Sequence, residues 1–400
     1  MAANRSASAA LTALLAVVVT GCATVLGGTP IKAAHDINAE GADLAVLETG
    51  NYPTAPRAPK GAAGDDKFGT VLEGHRMAEN VVLPTDVDTA LTEPLAVNIV
   101  TMQQNHGISI ELPDPAQAIV TAHHMLAGFA TARRTKDSTK NLINMVLRFP
   151  DPAAAADAAQ QLSQIPPASP KTPFPVPRYP TAMSGVMDTT DINPQQAVEA
   201  FLPHGPYLLY AWSASAQRPD DDAGLIANLF DRQIPTIDAF SPTPADQLAN
   251  LPVDPVSFLN RVLAADKDAP GSVDFGVFAP NAELHFQDDP LQARGDFTAD
   301  GVDAVARLRT TVYRARDAAG ARHLLDSSAA TAQAKPGAQP TAGVDGLPFS
   351  KCFEFTQAEE SNTPRFGCFA TADRYHFEAW SQQARDVRQQ IAAQYLMLTS

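Results

Sequence analysis

Tyr207-Leu-Leu-Tyr-Ala-Trp212-Ser213 recurs 168 residues later as Tyr375-His-Phe-Glu-Ala-Trp380-Ser381. These segments hold both tryptophans of the 400-residue chain. Matches continue around them at the same offset: Phe201 with Phe369, and Ser184 and Ala200 with Cys352 and Cys368. Upstream, at an offset of 166, Leu142, Val146, Arg148 and Asp151 match Leu308, Val312, Arg314 and Asp317. A two-residue difference is readily absorbed in a loop. The pattern reads as an internal duplication, and therefore as two tandem related domains.

The order of elements repeats as well. In the first copy, Leu142–Phe149 reads as a strand and Asp151-Pro152 starts an Ala-rich helix to about Ile165, with Asp as N-cap and Pro at N1. A loop with seven prolines follows, Pro166 to Pro180. Then come a strand near Ala182–Met187, a short helix near Gln195–Phe201, a strand from Tyr207 to Ser213, and a helix from Asp220 to about Phe240. The second copy reads as strand Leu308–Arg314, a helix capped by Asp317 to Ser327, and an Ala/Gly/Pro/Gln loop from Ala330 to Gly343. Strands near Lys351–Phe355 and Phe366–Ala370, strand Tyr375–Ser381 and a terminal helix Ala384–Leu398 complete it. Each copy is thus α+β, expected as an antiparallel sheet with helices packed on one face. The expected boundaries are a first domain over 41–240, a linker over 241–256 and a second domain over 257–400.

On a strand, Tyr207, Leu209, Ala211 and Ser213 share one face, and Leu208, Tyr210 and Trp212 the other. Tyr375, Phe377 and Ala379 alternate in the same way with His376, Glu378 and Trp380. The simpler reading is that the aromatics pack the sheet against its helices; the sharper one is an aromatic-lined pocket for an acyl chain or sugar. Recurrence in both copies favours packing, because duplicated scaffolds share cores more readily than ligands.

Cys352 and Cys368 lie on segments expected to pair as strands and read as a structural disulfide. The spacing is not Cys-x-x-Cys, which argues against a redox pair, and His376 is the one nearby imidazole, which argues against a metal site. The remaining cysteine, Cys22, closes an apolar run from about Ala9 through Val19-Thr20-Gly21. That arrangement resembles the lipobox of bacterial lipoproteins. The resemblance implies a signal peptide over 1–21, diacylglycerol on Cys22 and a lipidated tether over 22–40. The run is too short for a spanning helix, which needs about 20 apolar residues. A plain secretory signal with a free Cys22 is the alternative. Two acyl chains make dissociation negligible, whereas one myristoyl chain would be marginal.

Formal charge is −15, or −16 once residues 1–21 with their single Arg5 are removed. A balance this acidic, without Lys/Arg clusters, argues against nucleic acid and against an anionic lipid surface as partner. No Gly-x-Ser-x-Gly, Ser-x-x-Lys, His-Glu-x-x-His or phosphate-cradling glycine loop occurs. His123-His124 lies in an expected amphipathic helix over 115–134, where adjacent side chains diverge by about 100° and suit one metal poorly. Asp266, Asp268, Gly271 and Asp274 superficially follow a calcium loop, but Pro270 and Val277 stand where oxygen ligands belong. Asp220–Asp222 reads as a helix N-terminus favoured by the macrodipole. No cofactor and no metal is implied.

Leu47-Glu-Thr-Gly-Asn-Tyr-Pro-Thr54, His75-Arg-Met-Ala78 and the closing Gln389-Gln-Ile-Ala-Ala-Gln-Tyr395 resemble motifs of an uncharacterised family of actinobacterial lipoproteins. The resemblance covers nearly the whole mature chain. It implies an anchored location on the outer face of the cell membrane and transfers no catalytic residue. Two functions follow as expectations. One is a non-catalytic envelope protein that binds a ligand or partner protein. The other is an envelope hydrolase with a non-local active site, using Asp or Glu pairs with His106, His204 or His285. A deep pocket with converging carboxylates and a raised pKa would favour the hydrolase; an apolar tunnel or a flat apolar patch would favour the binder.

Overall fold

The computed structural model of the protein describes residues 37–103, 107–166, 170–189, 196–265, 274–356 and 364–400. Its first half carries strands β1 (Glu93–Met102), β2 (Ala127–Arg134), β3 (Lys140–Arg148), β4 (Lys171–Pro173), β5 (Met183–Asp188), β6 (Gln196–His204) and β7 (Tyr207–Ser215). The second carries β8 (Gly276–Phe278), β9 (Ala304–Arg307), β10 (Thr310–Arg314), β11 (Ala338–Thr341), β12 (Lys351–Phe355), β13 (Phe366–Ala372) and β14 (Tyr375–Ser381). The first sheet runs β1-β2-β3-β7-β6-β5-β4 and the second β8-β9-β10-β14-β13-β12-β11, the same order, with every pairing antiparallel. Registers agree too. Arg148 faces Tyr207 as Arg314 faces Tyr375, and Ser184 faces Ala200 as Cys352 faces Cys368. The duplication therefore extends from local motif to strand order.

Helices occupy matching places. The first half has α1 (Asp66–Ala78), α2 (Pro84–Val87), α3 (Ile108–Glu111), α4 (Ala116–Ala122), α5 (Pro152–Ser163) and α6 (Pro219–Asp238). The second has α7 (Pro280–Leu284), α8 (Pro290–Asp300), α9 (Ala318–Ala334) and α10 (Ala384–Thr399). Asp151 caps α5 by accepting from the Ala154 N–H, and Asp317 caps α9 by accepting from Gly320. Each such cap contributes about 1 kcal/mol.

Three expectations need correction. Helices cover both faces of each sheet, not one. Tyr207, Leu209 and Ala211 pack beneath α6 with Ile226 and Phe230, while Leu208 and Tyr210 pack beneath α5 with Ala155 and Leu162. Strands buried on both sides lose the polar–apolar alternation that marks a one-sided sheet. The helix expected near Gln195–Phe201 is strand β6, whose apolar run fits either period. The helix expected over 115–134 breaks in two: α4 ends at Ala122, His124 turns at φ 54°, and β2 begins at Ala127. Pairing of β2 between β1 and β3 overrides the helical propensity of its alanines.

Residues 41–57, counted by sequence with the first domain, and 37–40, counted with the tether, lie instead against the second. Ala42, Leu44 and Leu47 join the core beneath α10, Asn38 donates to the Tyr395 hydroxyl at 2.6 Å, and the Tyr52 hydroxyl donates to Asp386 at 2.6 Å. Glu48 pairs with Arg385 and accepts from Gln389 at 3.3 Å. Two of the quoted motifs, 47–54 and 389–395, thus meet in space. The third, His75–Ala78, ends α1, which packs on β2 and on β8. There the His75 ring lies 4.5 Å from Phe278, and fully buried Glu73 accepts from Arg148 at 2.5 Å. Close approach of α1 depends on Gly69, where an added Cβ would stand 2.3 Å from the Leu248 carbonyl oxygen.

Candidate cavity of the second domain

Strand β14 divides its side chains between two environments. Phe377 and Ala379 join the core beneath α10, whereas His376, Glu378 and Trp380 face α9 across a cavity of about 580 Å³. That volume lies within the range of small-molecule sites. Phe355, Phe369 and Trp380 form an aromatic wall: Trp380 lies 5.6 Å from each of the other two rings, edge-on to Phe369. Ser327 and Ser328 of α9 and Arg307 and Tyr313 of β9 and β10 supply polar walls.

The first copy shows what this space would otherwise hold. Matching strand registers and helix caps place Ala130, Leu147, Leu162, Leu208 and Tyr210 where Arg307, Tyr313, Ser328, His376 and Glu378 stand. All five first-copy residues belong to one buried apolar cluster. Exchange of an alanine, three leucines and a tyrosine for arginine, tyrosine, serine, histidine and glutamate at one stacked set of positions is hard to reconcile with packing alone. The packing reading holds for Tyr207, Tyr375 and the first copy. Trp380 lines the cavity.

A continuous chain of hydrogen bonds crosses the cavity wall. Arg307 donates to Glu283 at 2.7 Å; Gln287 Nε2 donates to Glu283 at 2.8 Å and to the Tyr313 hydroxyl at 3.1 Å. Tyr313 in turn donates to Glu378 at 3.4 Å. Burial pushes the Glu378 carboxyl up to about 7, opposed by the Arg307 charge. His376 is held by two contacts: Nδ1 lies 3.2 Å from the Ala370 carbonyl oxygen and Nε2 lies 3.0 Å from Ser328 Oγ. The carbonyl accepts only, so Nδ1 carries the proton and Nε2 accepts from the serine. Burial pushes this imidazole down to about 4.

The residues singled out from sequence sit as follows. Cys352 and Cys368 are bonded across β12 and β13 with Cα atoms 4.1 Å apart, closing a separation of 16 residues. Cys22, His106, Asp266, Asp268 and Gly271 lie outside the described residues. His204 pairs with Asp238 at 2.7 Å on the surface, whereas His285 is buried against Phe129 with its pKa pushed down to about 4 by burial. The two histidines have different partners, His204 the Asp238 carboxylate at the end of α6 and His285 the Ala78 carbonyl at the end of α1. His123 Nε2 lies 2.8 Å from Gln161. Asp222 in the first turn of α6 accepts from buried Ser213 at 2.8 Å. Among the described residues no group of three or more His, Cys, Asp or Glu is placed to hold a metal ion, and no helix is long and apolar enough to cross a membrane.

The cavity residues on β9, β10, α9 and the loop after α7 escaped the sequence reading because they come from four separate segments. A signal was present on β14, where His376 and Glu378 replace Leu208 and Tyr210 at aligned positions.

Comparison with known families and structures gives matches of two kinds. A model described as the N-terminal domain of unknown function DUF7373 matches residues 60–253, and its C-terminal counterpart matches 258–400. The curated proteins give no match. Among solved structures, the extracellular domain of PknH from Mycobacterium tuberculosis has a TM-score of 0.27 and 9% identity, over 38% of this chain and 92% of that one.

Proposed function

Taking as premise that the chain belongs to the DUF7373 family, a pair of domains of unknown function, we propose that it is a non-catalytic binding protein of the cell envelope. Its second domain takes a small amphipathic ligand. The carrying observation is the cavity beneath α9, where five polar side chains stand at positions the first copy fills with one apolar cluster. The location is extracytoplasmic with an anchor on Cys22, supported by the lipobox-like Val19-Thr20-Gly21-Cys22 and by a disulfide that requires an oxidising compartment. The three short motifs support an origin among actinobacterial lipoproteins.

The cavity has part of the character expected of each function, so the choice rests on the state of its groups. Asp288 is committed to Lys335 at 2.7 Å, Asp296 to Ser327 at 2.5 Å, and Asp289 to the first N–H groups of α8. Each of these carboxylates is taken up by a different partner. Two observations favour a hydrolase: Ser328 and His376 form a serine–histidine contact, and the Glu378 carboxyl is pushed up to about 7, although it accepts from Tyr313 and not from that pair. A general base works best with a pKa near the working pH. An imidazole pushed down to about 4 activates a serine poorly. Binding is the better reading.

Native mass spectrometry of the full protein purified from its own host tests it. A small-molecule adduct should be present, and it should be lost in a Ser328→Phe variant that fills the cavity. Absence of any adduct, together with hydrolysis of simple esters that Ser328→Ala abolishes, would replace this reading with the hydrolase.

A further inference from the structure

We infer that the ligand of this cavity carries an ammonium or amidinium group that pairs with Glu378, its apolar part lying on Trp380, Phe355 and Phe369. The inference rests on the binding function proposed above and names the chemistry of its ligand. Four carboxylates, Asp288, Asp289, Asp296 and Glu378, line the cavity against two cations, Arg307 and Lys335. Both cations are already matched: Arg307 lies 2.7 Å from buried Glu283, and Lys335 lies 2.7 Å from Asp288. An anionic headgroup would have to break one of those pairs and approach the remaining carboxylates.

Glu378 stands differently from the others. It accepts from the Tyr313 hydroxyl at 3.4 Å, long for a carboxylate, whose hydroxyl partners stand at about 2.5–2.7 Å. The rings beside it add a second attraction, since aromatic faces are negative and draw cations within about 6 Å. The Lys335 ammonium already uses that attraction, 5.1 Å from the Trp380 ring centre. A ligand cation entering the cavity therefore meets a carboxylate short of partners and an aromatic wall.

The test uses three matched probes, 4-phenylbutylammonium, 4-phenylbutanol and 4-phenylbutanoate, on the full chain carrying Trp212→Phe. Trp380 is then its single tryptophan and reports binding by fluorescence. The ammonium probe should bind about tenfold or more tighter than the carboxylate, the range expected of one charge-assisted hydrogen bond. Glu378→Gln should abolish that preference, bringing the ammonium probe down to about the affinity of the neutral alcohol. Glu378→Asp, which keeps the charge, should retain the preference and guards against a folding defect in the glutamine variant. Equal or tighter binding of the carboxylate, a preference that survives Glu378→Gln, or no binding of any probe overturns the inference. An adduct in native mass spectrometry alongside such a result would leave the binding function standing and remove only the cationic ligand.

Discussion

Arg133, on β2 of the first domain, donates to the backbone carbonyl of Gln287 in the second at 2.5 Å. The guanidinium also reaches the carbonyls of Thr92 at 2.6 Å, His285 at 3.2 Å and Asp288 at 3.4 Å, and the side chain is 1% exposed. One buried fork thus holds the loop after α7, whose Gln287, Asp288 and Asp289 line the cavity. The first domain, with its own equivalent space filled, positions a wall of the second.

Removal of that fork should be costly. Arg133→Met leaves several buried carbonyls unpaired, and each such group costs about 1–3 kcal/mol. The variant should lose about 3 kcal/mol or more by denaturant unfolding, and Arg133→Lys should fall between it and the native protein. Unchanged stability in Arg133→Met would show that the loop is held by other contacts.

Restoring the first copy's apolar residues should trade binding for stability. Ser328→Leu with His376→Leu reproduces Leu162 and Leu208 and removes a polar pair from the cavity wall. The double variant should gain about 1–2 kcal/mol, as cavity-filling changes commonly do, and lose the ligand. A destabilised double variant would mean that the helix-to-sheet distance differs between the copies.

The disulfide is a local addition to a strand pair that forms without one. Ser184 and Ala200 occupy the equivalent facing positions in the first sheet. Cys352→Ser with Cys368→Ala should therefore fold, with a loss of about 3 kcal/mol from the reopened loop. Failure of the variant to fold at all would contradict that equivalence.

The pH dependence of stability should carry the signature of Glu378. With its carboxyl pushed up to about 7 from an ordinary 4.5, the folded chain keeps a proton that the unfolded chain releases earlier. This contribution is present in full below 4.5 and is lost as pH rises through about 7. Glu283 and Asp288 face the group and raise it, while Arg307 and Lys335 lower it. Glu111, also pushed up to about 7, adds a similar slope, whereas His285 and His376, pushed down to about 4, act in the opposite sense. Glu378→Gln should make the fall in stability between about pH 5 and 8 shallower. An unchanged slope would show that the carboxyl titrates normally.

Anchoring has a direct assay. Cys22→Ala should move the protein from the detergent-soluble membrane fraction to the soluble or secreted one, or leave an uncleaved precursor. An unaltered mature mass with unchanged membrane partition would rule out lipid on Cys22.

The duplication was legible because helix caps and strand aromatics are local, and the spacing from Asp151 to Trp212 recurs from Asp317 to Trp380 to within two residues. Strand β6 and strand β2 were not, since Ala197–Phe201 and Ala127–Ala132 are buried on both faces and show no period of two. For the cavity, half the information stood in β14 itself. The other half depends on which residues of α9 and β10 lie opposite, and that is fixed only by the closed sheet.

Residues 37–57 also bear on the order in which the chain can be assembled. Ala42, Leu44 and Leu47 complete a core whose other side is α10, the last of the described helices along the chain. The second domain is therefore discontinuous along the chain, bracketing the whole of the first. Its hydrophobic core cannot close until the two ends have met across more than 300 residues, and contacts so distant in sequence form late and slowly. Until then the 258–400 segment carries an unfilled apolar seat, and the first domain folds inside a loop that its neighbour has yet to tie.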